Sequence, residues 1–308
     1  MRHNARCRLP HRAAHTVLGE YGVRLLDSTM EARAWRDGLS TSMQVGFVPT
    51  MGALHEGHLS LVRESLRQCD VTCVSIFVNP LQFGPSEDFD RYPRTLREDL
   101  ALLEPLGVAA VLVPAVETYY APDHSTYLVE ERLAAGLCGR YRPGHFRGVA
   151  TVCLKLFNII RPHVVYLGQK DAQQCAVLRR MVRDLDLPLR ISTCPTVREA
   201  DGLAMSSRNR MLTPEERARA TRIYASLQAV REHYLAGERN CGRLAAIGRG
   251  IAEADGAVRL QYWEIVHPTT LEPLEEIGAE GALCAVAGFV GATRLIDNIL
   301  LNGPANNG

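Results

Sequence analysis

The apolar positions along the chain change their spacing several times, and each spacing predicts an element. Residues 43–49 form a short apolar run that ends at Pro49-Thr-Met-Gly, as a buried strand entering a turn would. From 53 to 69, Leu59, Leu61, Val62, Ser65 and Leu66 share one helical face. Residues 71–78 read VTCVSIFV, β-branched and without alternation, which fits a strand buried on both faces. The same reading predicts helices over 94–106, 148–160 and 171–185, and strands over 109–113, 163–167 and 189–194. Strands alternating with helices predict an α/β fold, a parallel sheet with helices on both faces.

After Thr196 the pattern changes. Thr213-Pro-Glu-Glu opens a long helix to about Leu235, with Thr213 as its cap and Pro214 at the first helical position. A second helix is expected over 240–254, then strands over 258–266, 282–290 and 293–301. This predicts a first domain over 21–197 and a smaller α+β domain over 198–308. Residues 1–20 carry Arg2, Arg6, Arg8 and Arg12 and are read as a disordered extension.

Composition removes several function classes. The 308 residues carry 35 basic and 34 acidic side chains, a net charge of +1, without the basic excess of a nucleic-acid binder. No apolar run approaches the ~18 residues of a membrane span. Nine scattered cysteines with no CxxC pair point to reduced thiols in a cytoplasm. Only Lys155 and Lys170 stand against a large excess of arginine. A retained lysine hints at a place that needs a compact ammonium, a hint weaker for Lys155.

The candidate chemistry falls at predicted strand ends, where ligands of open parallel sheets bind. In Thr50-Met-Gly-Ala-Leu-His-Glu-Gly-His58 a strand ends, a turn follows, and two histidines three apart open a helix. Two imidazoles beside a helix N-terminus suit a polyphosphate whose charge grows during transfer. A zincin site requires HExxH, so His55-Glu-Gly-His58 has the wrong spacing for it. The bland account is a pair of surface histidines capping the helix, with Glu56 facing solvent.

The run PTMGALHEGHLSLV resembles the pantoate–β-alanine ligase family, within the HxGH nucleotidyltransferase superfamily. The resemblance extends from about Val23 to Leu301. It implies a Rossmann-like first domain, a C-terminal lid domain, ATP as substrate with Mg²⁺, and a homodimer. The implied reaction joins pantoate to β-alanine through pantoyl adenylate, releasing pyrophosphate and AMP. The nearest rival is an adenylyltransferase that leaves AMP on its product. An RNA-binding module and a zinc hydrolase are the rivals from other classes.

Site residues follow in the same terms. His55, His58, Lys170, Ser206, Ser207 and Arg208 are the catalytic candidates, handling phosphate charge. Pro49, Thr50, Met51, Gly57, Gly168, Asp171, Val197 and Met205 complete the ATP site, with Asp171 also a helix cap. Gln82, Gln174 and Asn79 offer amides to pantoate, although Asn79 alone reads equally as a turn residue before Pro80. His145 and Arg147 are placed at the mouth of the site or in a capping loop. Asp88 and Asp90 sit on a polar loop read as a lid, and no metal ligand is assigned. Where the family reads Gly-Glu-Lys-Asp and often an aromatic, this chain has Gln169 and Ala172, which leaves the pocket wall open.

Overall fold

A computed structural model describes residues 23–301 apart from Ser86. The extension over 1–20 lies outside the described residues. The first unit begins with β1 (Arg24–Leu26), α1 (Thr29–Asp37), β2 (Val45–Thr50), α2 (Glu56–Gln68) and β3 (Val71–Ile76). It continues through α3 (Leu96–Leu103), β4 (Ala110–Leu112), α4 (Val116–Tyr119), α5 (Leu137–Tyr141) and α6 (His145–Ile160). Then come β5 (Val164–Gly168), α7 (Ala172–Asp184) and β6 (Arg190–Cys194). The six strands pair in parallel in the order β1-β4-β3-β2-β5-β6. The order reverses between β2 and β5, which opens a crevice at their carboxyl ends.

Two apolar layers cover the sheet. One gathers Phe47, Val165 and Cys73 with Val149, Leu156, Phe157 and Ile160 of α6 and Leu178 of α7. The other gathers Val48, Val74, Val111 and Tyr166 with Leu59 and Val62 of α2 and Leu103 of α3. Neighbouring residues of β2 thus bury on opposite faces, which is why the central strands lack alternation.

The second unit holds α8 (Pro214–Leu235), α9 (Cys241–Glu253) and the antiparallel strands β7 (Arg259–Val266), β8 (Ala282–Val290) and β9 (Thr293–Leu301). Thr213 caps α8, as its sequence predicts, and the structure adds a reciprocal bond from Glu216. Trp263, Leu227, Ile223 and Val286 centre this core. The two units are not separate. Tyr262, Val266, Leu283, Ala285 and Ala287 bury their side chains in the core of the first.

Some elements differ from expectation. Helix α6 starts at His145, not 148, because Gly144 (φ 81°) turns the chain there. Gly148 lies inside the helix, where an added Cβ would meet the Leu81 carbonyl oxygen at 2.1 Å. Its lack of a side chain lets α6 approach the turn that holds Gln82. No helix among the described residues is long and apolar enough to cross a membrane.

Candidate active site

Every residue named above for catalysis, ATP or pantoate lines one cleft of about 210 Å³ at the β2–β5 crevice. The β2 end contributes Pro49, Thr50 and Met51, and the β5 end contributes Gly168, Lys170 and Asp171. Gln174 follows one turn into α7. Val197 and Met205 face each other across a tight hairpin, through a Met205 N–H bond to the Val197 carbonyl (3.0 Å). That hairpin presents Ser206, Ser207 and Arg208 to the same cleft.

His55 and His58 do cap α2, yet they line the cleft rather than the open surface. His55 Nδ1 accepts from the Gly57 N–H (3.1 Å), and His58 Nδ1 accepts from the His55 N–H (3.4 Å). With Nδ1 accepting, each neutral ring carries its proton on Nε2. Capping therefore sets the tautomer and leaves a donor for a ligand. Gly57 is required by the same geometry, since a Cβ there would lie 2.9 Å from the His55 ring. The rings are 4.1 Å apart. Burial, then the Lys170 charge, pushes His55 down to about 4. Burial and the facing His55 hold His58 well below its usual value.

A third imidazole is fixed differently. Arg142 can only donate, so His145 Nε2 accepts from its Nη1 (2.9 Å) and Nδ1–H donates to the Gln82 carbonyl (2.8 Å). Burial and Arg142 push His145 down to about 3. All three rings are thus neutral near pH 7. Their folded values lie below the unfolded value of 6.5, so between these limits the unfolded chain binds more protons. Stability is therefore expected to fall as pH drops below about 6.5, by up to about 1.4 kcal/mol per pH unit for each ring. The loss from a ring ends once it protonates in the fold. Urea midpoints at pH 7 and pH 5 check this, and equal midpoints would contradict it.

The structure revises several assignments. Asn79 lines the cleft, but its amide is committed: Nδ2 donates to Gln82 Oε1 (3.1 Å) and the Gly148 carbonyl (3.2 Å). Its Oδ1 accepts from the Leu81 N–H and the Tyr120 hydroxyl. Asn79 orients Gln82 instead of offering free groups. Asp171 stands at the N-cap of α7 but makes no side-chain cap bond. Its carboxylate lies 3.8 Å from Lys170 Nζ. Ser207 donates its hydroxyl proton to the Ala53 carbonyl (3.1 Å). Ser206 accepts from the Arg208 N–H, so its own proton stays available. Arg147 turns away from the cleft and lies over the Tyr127 ring at 4.4 Å. Arg142, before the helix begins, takes the place at the mouth.

The polar loop pairs acids with cleft arginines. Asp88 accepts two bonds from Arg208 (2.7 and 2.9 Å), and Glu87 accepts two from Arg142 (2.6 and 2.7 Å). Burial opposes both charges, yet these arginines hold both carboxyls below their ordinary range. Asp88 is therefore engaged, and Asp90 is exposed outside the cleft lining. Among the described residues no cluster of three or more His, Cys, Asp or Glu could hold a metal ion. Glu56 pairs with Arg63 on the surface.

Other residues in and beside the cleft gave little sign of themselves in the sequence. Thr196 lines the cleft with a buried hydroxyl that has no partner among the described residues. Tyr92 packs beneath Arg208, its ring 5.8 Å from the guanidinium. Asn298, on β9, donates to the carbonyls of Gln169 and Lys170 (both 2.9 Å), and the Gln169 amide donates back to it (3.2 Å). Gln169 thus forms part of the contact between the units. Cys153 also lines the cleft, but burial pushes its thiol up to about 12, which removes it as a nucleophile.

A parallel sheet with its cleft at the strand-order reversal, ringed by paired imidazoles, a lysine and a Ser-Ser-Arg loop, defines a Rossmann-like enzyme of the HxGH class. The family model described as pantoate-beta-alanine ligase matches residues 24–300. The chain belongs to the pantoate–β-alanine ligase family and is a ligase of pantothenate biosynthesis. The pantothenate synthetase of Acidobacterium capsulatum is 56% identical over 257 residues, covering 83% of this chain and 86% of that protein. The crystal structure of pantothenate synthetase from Thermus thermophilus matches with a TM-score of 0.86 and 45% identity, covering 92% of this chain and 100% of that one. The pantoate–β-alanine ligase of Francisella tularensis, complexed with beta-gamma ATP and β-alanine, gives a TM-score of 0.74 at 33% identity, covering 90% and 97%.

Proposed function

We propose that this cleft activates pantoate as an acyl adenylate before β-alanine arrives. A carboxylate oxygen of pantoate attacks the α-phosphorus of ATP, and the bond to the β-phosphate breaks, releasing pyrophosphate. The amine of β-alanine then attacks the acyl carbon, loses a proton and expels AMP. The observation that carries this reading is the pair of neutral rings, His55 and His58, each presenting Nε2–H beside Lys170. Such donors stabilise charge that grows on phosphate oxygens, and neither step needs a protein nucleophile.

Lys170 and Ser206 add a point charge and a hydroxyl to the phosphates. Arg208 joins them when Asp88 releases it. Gln82, held by Asn79, and Gln174 take the hydroxyls and carboxylate of pantoate. The ATP complex of the Francisella tularensis relative supports ATP as the substrate. Mg²⁺ fits as a companion of the nucleotide, which suits an ion that keeps its waters and binds through phosphates and one or two carboxylates. Asp171, half-exposed at the cleft, is the carboxylate to hold it. Bound there, it would neutralise phosphate charge. The second unit is read as a lid over the nucleotide and the enzyme as a homodimer; the eight free thiols among the described residues fit a reducing cytoplasm.

Incubation with ATP, Mg²⁺ and pantoate, with and without β-alanine, tests the proposal. AMP and pyrophosphate are expected, with steady turnover only when β-alanine is present. A stable product that retains AMP would favour the adenylyltransferase instead.

A further inference from the structure

The turn that delivers His55 is bent against the preference of its own residues. Gly52 (φ 79°) and Ala53 (φ 50°) are consecutive left-handed residues between β2 and the histidines. Glycine accepts this conformation freely, but alanine does not, and an isolated alanine would relax out of it. Ala53 is fully buried, so its Cβ cannot seek relief in solvent.

Two side chains hold the residue from opposite ends. Asp99, on α3 and 1% exposed, accepts from the Ala53 N–H (3.0 Å) and the Leu54 N–H (2.7 Å). The Thr95 hydroxyl donates to the same carboxylate at 3.2 Å. Ser207, from the Ser-Ser-Arg loop, donates to the Ala53 carbonyl (3.1 Å). The strained residue is therefore gripped at its nitrogen by the sheet domain and at its oxygen by the phosphate loop. Strain of this kind persists only where its surroundings over-determine it.

We infer that Asp99 is a positioning residue: its carboxylate holds the Gly52–Ala53 turn left-handed, and so sets where the His55 and His58 Nε2–H donors point. It touches no reacting atom in this account and does not line the cleft. Its effect passes through Ala53 to His55, two residues on. The inference rests on the adenylation reading above. A carboxylate suits the task because it only accepts, and two backbone N–H groups point at it. An amide there would turn its own NH₂ toward one of them.

The geometry also supplies the test. Asp99→Asn is expected to lower kcat for pantoate-dependent AMP formation by about 10²-fold, the scale of a misplacement near 1 Å. The KM for ATP should change much less, since the donors act most strongly in the transition state. Ala53→Gly removes the reason for the grip, because glycine adopts the left-handed turn unaided. The double variant D99N/A53G should then recover most of the lost kcat. A residue needed only for packing would not be rescued this way.

Three results would overturn the inference. One is D99N with kcat within about threefold of the native enzyme, far short of the loss a misplaced donor brings. Another is a double variant with native melting temperature that stays as slow as D99N. The third is failure of both variants to fold, since Asp99 would then serve the core and not the turn. His55→Ala, assayed alongside, separates this from the parent reading. If H55A is fully active, the adenylation site itself is misassigned. If H55A is inactive and D99N is fast, only the positioning role falls.

Discussion

Lys170→Ala is expected to reduce the rate of AMP formation by about 10²–10³-fold, the cost of removing one preorganised charge contact from a transition state. The melting temperature should stay close to native. Lys170 lies on a short turn between β5 and α7, and the Asn298 bond to its backbone carbonyl survives the truncation. Its Nζ lies 3.8 Å from the Asp171 carboxylate, and the buried Asp297, which also feels the Lys170 charge, keeps its pair with Arg198. The Asp171 carboxylate is 46% exposed, so losing the lysine leaves it hydrated and not buried unpaired. Lys170→Arg keeps the charge but replaces a compact ammonium with a wider fork, so it should restore activity only in part. A loss below about tenfold in K170A, well under the cost of such a contact, would remove Lys170 from the phosphate role.

The largest expected loss of stability lies elsewhere, at Trp263. Its side chain is fully buried in the second core, and its indole N–H donates to Ser226 Oγ (2.9 Å). Gly248 of α9 packs so closely on the ring that an added Cβ would sit 2.4 Å from it. Trp263→Ala should cost about 3–5 kcal/mol, because the transfer term and the cavity term both apply. Urea unfolding would show a midpoint lowered accordingly. Trp263→Phe should cost less, filling most of the space. A change under about 1 kcal/mol in W263A would mean that α9 and β7 collapse onto each other without strain.

The parts of this fold legible in the sequence are those with long periodic signals. Helix α8 is marked by Thr213 and Pro214, and its cap forms as expected, with Glu216 completing it. The doubly buried β3 is legible because β-branched residues fill it without alternation. Most short elements are not, although the three-residue β4 falls inside the strand expected over 109–113. Strand β1 has three residues, and α4 and α5 have four and five, too few for a period to repeat. Gly148 misleads the start of α6, because a glycine reads as a boundary when its purpose is close approach to Leu81.

The site divides along similar lines. The histidines, Lys170 and the Ser-Ser-Arg run are visible because residue type, spacing and strand ends coincide. What a side chain is already bonded to is not visible. Asn79 looks like a ligand until its four internal bonds are seen, and Ser207 looks free until Ala53 is placed beside it. Arg142 and Arg147 flank the same motif, and only the true start of α6 tells which one faces the cleft. Asp99 gives no signal of its role, since the backbone N–H groups it holds are 45 and 46 residues away.

The pairing of Asp88 with Arg208 and of Glu87 with Arg142 bears on how any anion enters. The resting cleft is less a set of vacant cations than a resin already loaded with counter-ions. A phosphate or carboxylate that reaches either guanidinium must exchange with an anion of the protein's own. Selectivity at those two positions is then a contest between two anions for one fork, decided by the difference in their fit. The small negative solutes that crowd a cell meet the same incumbents, and must displace a tethered carboxylate before they can occupy either of those two positions.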